Sequence, residues 1–247
     1  IPARRDPGRS RGSSGGAGQG SGGNGGGAIW IEATGTVTVA GSIRANGGNG
    51  NGDQAAAGSG GGIYIKCQTI QGTGTVEAKG GNLGGNGGGG GGGRIAVHFD
   101  TAAQSALSPK PPFAFSTLGG NAGVVARYGG IGSLYFSDST ILASLLPHAG
   151  ELIIPGFTSW SPGSLTVSNA NILFPTGMVI AVTNDLTVCS NATLILTNTP
   201  SLTVGGNLVL TNGSSLYIHS VETNGAATYG CLLTVANDIL VHSNAYL

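Results

Sequence analysis

The segments Leu165-Thr166-Val167, Leu186-Thr187-Val188, Leu202-Thr203-Val204 and Leu233-Thr234-Val235 decide how this chain is read. Between and around them lie Ile172-Leu173-Phe174, Val179-Ile180-Ala181-Val182, Leu194-Ile195-Leu196, Leu208-Val209-Leu210, Leu216-Tyr217-Ile218 and Ile239-Leu240-Val241. A strand of three or four residues buries one or two side chains and cannot persist alone. Taken in threes, however, these segments form a cycle that restarts at Leu165, Leu186, Leu208 and Ile239, in steps of 21, 22 and 31. Winding the chain so that each strand lies on its counterpart one coil away satisfies the backbone between coils and stacks the inward side chains into continuous columns. Alternation along a strand turns Leu and Val of each Leu-Thr-Val inward and Thr outward. The longer last step is assigned to a loop inserted across 220–231. The spacing predicts a right-handed parallel β-helix, an all-β solenoid with three strands per coil.

A wider repeat precedes it. A glycine run followed by an apolar strand occurs at Ala28-Ile29-Trp30-Ile31-Glu32, Gly62-Ile63-Tyr64-Ile65-Lys66, Arg94-Ile95-Ala96-Val97-His98 and Ser133-Leu134-Tyr135-Phe136. Its first apolar residues, Ile29, Ile63, Ile95 and Leu134, are 34, 32 and 39 positions apart. A second phrase, Gly41-Ser42-Ile43-Arg44 through Gly47-Gly48-Asn49, returns as Gly74-Thr75-Val76-Glu77 through Gly80-Gly81-Asn82 at an offset of 33. Two elements recurring together mark stacked coils rather than biased composition. The predicted organisation is a basic N-terminal arm over 1–12, wide solenoid coils over 13–136, an irregular connection over 137–163 and regular three-strand coils over 164–247, ending within a coil. A domain boundary inside the connection is the alternative.

Composition agrees with an all-β chain. Glycine supplies 49 of 247 residues, 34 of them before Arg94, and charged residues only 8%. Glycine costs about 1 kcal/mol per helical position relative to Ala, and the abundant β-branched residues favour strands. All ten Lys and Arg lie between Arg4 and Arg127, among five acids; from Tyr128 onward there are five acids and no Lys or Arg. Such polarity orients copies head to tail, or is chance among twenty charges. The positive half has no dense basic stripe with interleaved aromatics, which argues against nucleic acid as a partner. No apolar run is long enough to span a membrane as a helix. Cys67, Cys189 and Cys231 show no zinc-ligand spacing and read as small apolar residues, with a Cys189–Cys231 disulfide left open.

Corner residues align with the coils. Asp185, Asn207 and Asp238 each precede the first strand of a coil, whereas Asn169, Asn191, Asn212 and Asn244 follow it. Asn and Asp tolerate left-handed backbone, and stacked they form a turn ladder between coils. The glycine runs at 13–27, 46–62 and 80–93 have two readings. They are flexible loops, or they lie side by side as polyglycine II, an extended helix of three residues per turn. Because stacked strands would deliver both ends of each run to fixed places, the ordered reading is favoured.

Chemistry is sparse. The acids Glu32, Glu77, Asp100, Asp138 and Glu151 are scattered singly, so a two-carboxylate glycosidase site has no support. Glu32 and Lys66 occupy matching positions and are expected to stack as an opposite-charge pair. No phosphate loop follows a glycine run, and nothing calls for a metal or another cofactor. Trp30, Tyr64 and Tyr135 occupy equivalent outward positions. They form an aromatic column, either a strip for a partner or surface polysaccharide or simple packing under a neighbouring loop.

The Ala28-Ile-Trp-Ile, Gly62-Ile-Tyr-Ile-Lys and Arg94-Ile-Ala-Val-His-Phe phrases resemble glycine-rich repeat proteins of the bacterial cell surface. The Leu-Thr-Val coils with Asn turns are similar to the right-handed β-helices of secreted adhesins and autotransporter passengers. The resemblance implies an extracellular, non-catalytic structural protein, a subunit or segment of a fibre or adhesin that self-associates end to end. A polysaccharide-binding or polysaccharide-degrading β-helix is the alternative, and the motifs specify architecture rather than activity.

Overall fold

A computed structural model describes residues 11–17, 19–83, 85–123, 127–220 and 230–247. The expected arm therefore lies outside the described residues except for Arg11 and Gly12, as does most of the loop expected at 220–231. Apart from one antiparallel pair, 19–21 with 51–53, the strands of the described chain are parallel and stacked at the offsets read from the sequence, a parallel β-solenoid. It forms two compact units, 1–138 and 139–247.

In the first unit, β1 (Gln19–Ser21) precedes a coil of β2 (Ala28–Glu32), β3 (Thr36–Val39) and β4 (Ser42–Arg44). After β5 (Asn51–Asp53), the next coil repeats it as β6 (Gly62–Lys66), β7 (Thr69–Gly72) and β8 (Thr75–Glu77). The third has β9 (Arg94–His98), a short helix α1 (Thr101–Ser105) and β10 (Ala114–Ser116), and β11 (Ser133–Phe136) follows. The register is the one the spacing requires: Ile29 pairs with Ile63, Ile63 with Ile95 and Leu134 with Ile95. Inside, Ile63, Ile95, Leu134 and Phe136 are fully buried, and Phe115 packs on Phe113 and Phe136 with ring centroids 5.0 Å apart in each pair.

Helix α1 departs from the all-strand expectation. Asp100 caps it, its carboxylate accepting from the Ala103 N–H at 2.8 Å. One turn later the Gln104 side chain is fully buried and reaches the edge of β7. There its Oε1 accepts from the Ile70 N–H (2.9 Å) and its Nε2 donates to the Ile70 C=O (3.0 Å). A side-chain amide thus takes the place of the strand this coil lacks, and no buried backbone group at Ile70 is left unpaired.

The described residues of the glycine runs are ordered. In the run 56–61 every N–H donates to backbone, in three directions taken in turn. Ala56 and Ser59 bond Gly16 and Ser13, Ala57 and Gly60 bond Gly88 and Gly91, and Gly58 and Gly61 bond Gly48 and Ala45, at 2.7–2.9 Å. A three-residue period places successive N–H groups a third of a turn apart, the signature of polyglycine II. The runs therefore form a bonded array instead of loops. Closeness of the backbones requires the glycines: a Cβ on Gly60 would overlap the Ala78 carbonyl, and one on Gly93 the Gly61 carbonyl.

In the second unit, β12 (Leu145–Leu146), β13 (Gly150–Ile153) and β14 (Ser159–Trp160) lead into three stacks. The regular coils follow as β15 (Leu165–Ser168), β16 (Asn171–Leu173), β17 (Val179–Val182), β18 (Leu186–Cys189), β19 (Thr193–Thr197) and β20 (Ser201–Val204). They end with β21 (Leu208–Leu210), β22 (Ser215–His219), β23 (Leu232–Val235) and β24 (Ile239–Val241). Leu165, Leu186, Leu208 and Ile239 stand in one register column; Ile172, Leu194 and Leu216 form a second, and Ile180, Leu202 and Leu233 a third. The inward residues of β15 and β18 are buried and Thr166 and Thr187 half-buried on the other face, as alternation demands.

Candidate functional site

The outward face of the β2–β6–β9–β11 sheet carries a row of aromatic and charged side chains. Register aligns Trp30 with Tyr64, Tyr64 with Ala96 and Tyr135 with Ala96. The expected column therefore has a gap at Ala96, and His98, two residues on and on the same face, fills it. The rings form one ladder: Trp30 stacks on Tyr64 with centroids 4.0 Å apart and planes at 20°, Tyr64 meets His98 at 5.2 Å, and His98 meets Tyr135 at 5.0 Å. Sequence reasoning missed His98. Its signal was the small residue at the aromatic position of one repeat, which leaves room for the next outward side chain.

This geometry limits what the ladder can do. Sugar recognition by aromatic stacking needs an open ring face, and the ladder flanks Tyr64 and His98 with rings on both sides and covers one face of Trp30. All four residues are half-buried. The indole N–H donates to Glu32 Oε1 at 2.9 Å, so Glu32 is held beside the ladder. Glu32 and Lys66 stack as register partners, as expected, without an ion pair between them, and the carboxylate bonds the indole instead. They line an open cleft of about 570 Å³ together with Cys67, Gln68 and Asp100. Burial pushes the Cys67 thiol up to about 11, outweighing its bond with the Val37 backbone, so it is no thiolate nucleophile at neutral pH. Burial, with help from the Lys66 charge, holds His98 below its ordinary value, which favours the neutral imidazole in the ladder.

Turn ladders run beside the coils in both units. In the second, the Asn207 N–H donates to Asp185 Oδ1 at 2.7 Å and the Asp238 N–H to Asn207 Oδ1 at 3.2 Å, so each side chain holds the backbone of the next coil. Asn169, Asn191, Asn212 and Asn244 have φ between 50° and 61° and take the left-handed corner that their type tolerates. The first unit has a ladder not foreseen. The Asn82 N–H donates to Asn49 Oδ1 and the Asn121 N–H to Asn82 Oδ1, both at 2.8 Å. The phrase Gly-Gly-Asn ending at Asn49, Asn82 and Asn121 was its signal. Glu77 is held between coils by Arg44 at 3.0 Å and Lys79 at 2.6 Å. Burial raises its carboxyl, but the bonds from Lys79 and Asn46 and both cationic charges outweigh this and lower it.

The three cysteines are free thiols. Among the described residues no helix is long and apolar enough to cross a membrane.

His148 is the most perturbed base. It is only 4% exposed, and burial drives its imidazole down to about 4. The neutral ring is favoured in the fold, so its contribution is complete above the unfolded value near 6.5 and is lost as pH falls toward 4. Roughly 3 kcal/mol is expected to disappear over that window. Urea unfolding at pH 7 and pH 4 checks this: His148→Leu should lose less stability than the unmodified chain, and an equal loss in both would acquit His148.

No family model, no curated protein and no solved structure matches this chain.

Proposed function

We propose that this chain is a non-catalytic extracellular structural protein, a subunit or segment of a bacterial surface fibre or adhesin. The observation that carries the reading is the segregation of charge between its two units. The first holds all ten Lys and Arg against six acids, a net of +4, and the second holds four acids and no Lys or Arg, a net of −4. Two stiff, backbone-bonded units of opposite sign favour head-to-tail association of copies, oriented by long-range attraction. Bonds between coils, turn ladders and a glycine array all serve rigidity, which suits a load-bearing scaffold. The polysaccharide reading draws less support, because the two inner rings, Tyr64 and His98, are flanked on both sides and all four ladder residues are half-buried.

Electron microscopy and light scattering of purified protein test the proposal. Filaments or end-to-end oligomers are expected at about 10 mM salt, shortening at about 500 mM, where the Debye length contracts to a few ångströms. Monomers under both conditions would sink it.

A further inference from the structure

The glycine array has bonding capacity that the described residues do not use. Segment 12–16 lies across the runs 23–27 and 56–61. Gly12 and Gly15 N–H donate to Gly26 and Gly23 C=O, while Gly16 and Ser13 C=O accept from Ala56 and Ser59 N–H, all at 2.8–2.9 Å. The segment runs antiparallel to both neighbours and fills the groove between them.

The next groove, between 56–61 and 88–93, has the same construction and no such occupant among the described residues. In the run 88–93, Gly89 and Gly92 donate to the following run at Arg127 and Gly130, and Gly90 and Gly93 donate to Gly81 and Ala78. The third direction falls to Gly88 and Gly91, positions matching Ala56 and Ser59. Their N–H groups donate to no described residue, and the Ala57 and Gly60 C=O groups, matching Gly23 and Gly26, accept from none. Beside segment 12–16 the surface opens into a groove of about 320 Å³, lined among others by Gly12, Ser13, Gly60, Gly92 and Gly93. A Cβ on Gly91 would meet nothing within 4 Å.

We infer that this groove receives a glycine row from a second copy of the chain, which docks through the same polyglycine face. The template is the chain's own segment 12–16, which spends donors at 12 and 15 and acceptors at 13 and 16. The row 88–92 carries unused donors at Gly88 and Gly91 and unused acceptors at Gly89 and Gly92, the same pattern at the same spacing. A copy therefore presents both a groove and a row that matches it. Glycine at the lining positions lets the backbones approach to bonding distance, and rows already ordered in each partner lose little entropy on docking. The contact is lateral and made of neutral backbone groups. It goes beyond the charge-oriented end-to-end association proposed above and does not depend on it.

The test is sedimentation equilibrium of the full chain at about 50 mM and about 500 mM salt, for the unmodified protein and for Gly91→Leu, Gly88→Leu and Gly35→Leu. Gly91 and Gly35 have open space, and Gly88 meets only the Arg127 carbonyl at 3.8 Å, so all three variants should fold. The unmodified protein is expected to retain self-association at high salt. Gly91→Leu and Gly88→Leu should raise the high-salt dissociation constant at least tenfold with an unchanged melting temperature, and Gly35→Leu, away from the face, should not. A monomeric unmodified protein at high salt, or groove variants that associate as tightly as Gly35→Leu, would overturn the inference. Association of the same strength at both salt concentrations, abolished by the groove variants, would count against the end-to-end reading alone.

Discussion

Gly90→Ala is expected to cost at least about 3 kcal/mol or to unfold the glycine-rich unit, while Gly91→Ala next to it stays within about 0.5 kcal/mol of the unmodified chain. A Cβ on Gly90 would overlap the Gly58 carbonyl and stand 3.0 Å from the Gly81 nitrogen. Both are backbone atoms of ordered runs, with no side-chain end that can swing aside. Relief requires the runs to separate, which breaks the bonds from Gly90 to Gly81 and from Gly81 to Gly58. At Gly91, a third of a turn on, the same methyl points into open space. Ala there also narrows the unfolded ensemble, which favours folding by several tenths of a kcal/mol. Thermal and urea melts of the two variants decide the matter. Equal effects would show that the runs are not packed as a polyglycine array.

Leu194→Ala is expected to cost about 2–5 kcal/mol, against less than about 1 kcal/mol for the outward Thr187→Ala. Leu194 stands in register between Ile172 and Leu216, and each of the three is no more than 1% exposed. Truncation leaves a hole that neither neighbour can fill, because inter-coil bonds clamp the backbone of β19 to β16 and β22. In a stacked repeat each coil contacts only its neighbours, so the loss falls on those two interfaces. Hydrogen exchange should show it as reduced protection in β16, β19 and β22 before the strands of the other columns. Uniform loss of protection would argue for a single globular core instead.

Much of this was legible because a solenoid writes its spacing into its sequence. Ile29, Ile63 and Ile95 had to be neighbours once each was a lone apolar strand at a matching offset, and the structure pairs them in that register. The corners were legible for a similar reason, since Asn191 and Asn212 recur where only a few residue types tolerate a positive φ. The site was legible in part. Trp30, Tyr64 and Tyr135 could be placed on one face by alternation, but His98 enters the ladder only because Ala96 leaves space, and no periodicity encodes a vacancy. Nor does any local pattern announce that Gln104 will finish the edge of β7, because its partner Ile70 is 34 positions away.

The sequence by itself determined the all-β class, the coil offsets, the inward columns and the turn positions. Each is carried by side chains whose size, branching or turn chemistry differs from residue to residue. Only the tertiary structure decided the direction in which each glycine turns its N–H. Gly90 and Gly91 are the same residue in the same run, and neither has a side chain through which a pattern could be read. One is locked between backbones and the other faces open space, because the strands at either end of the run fix its rotation against its neighbours.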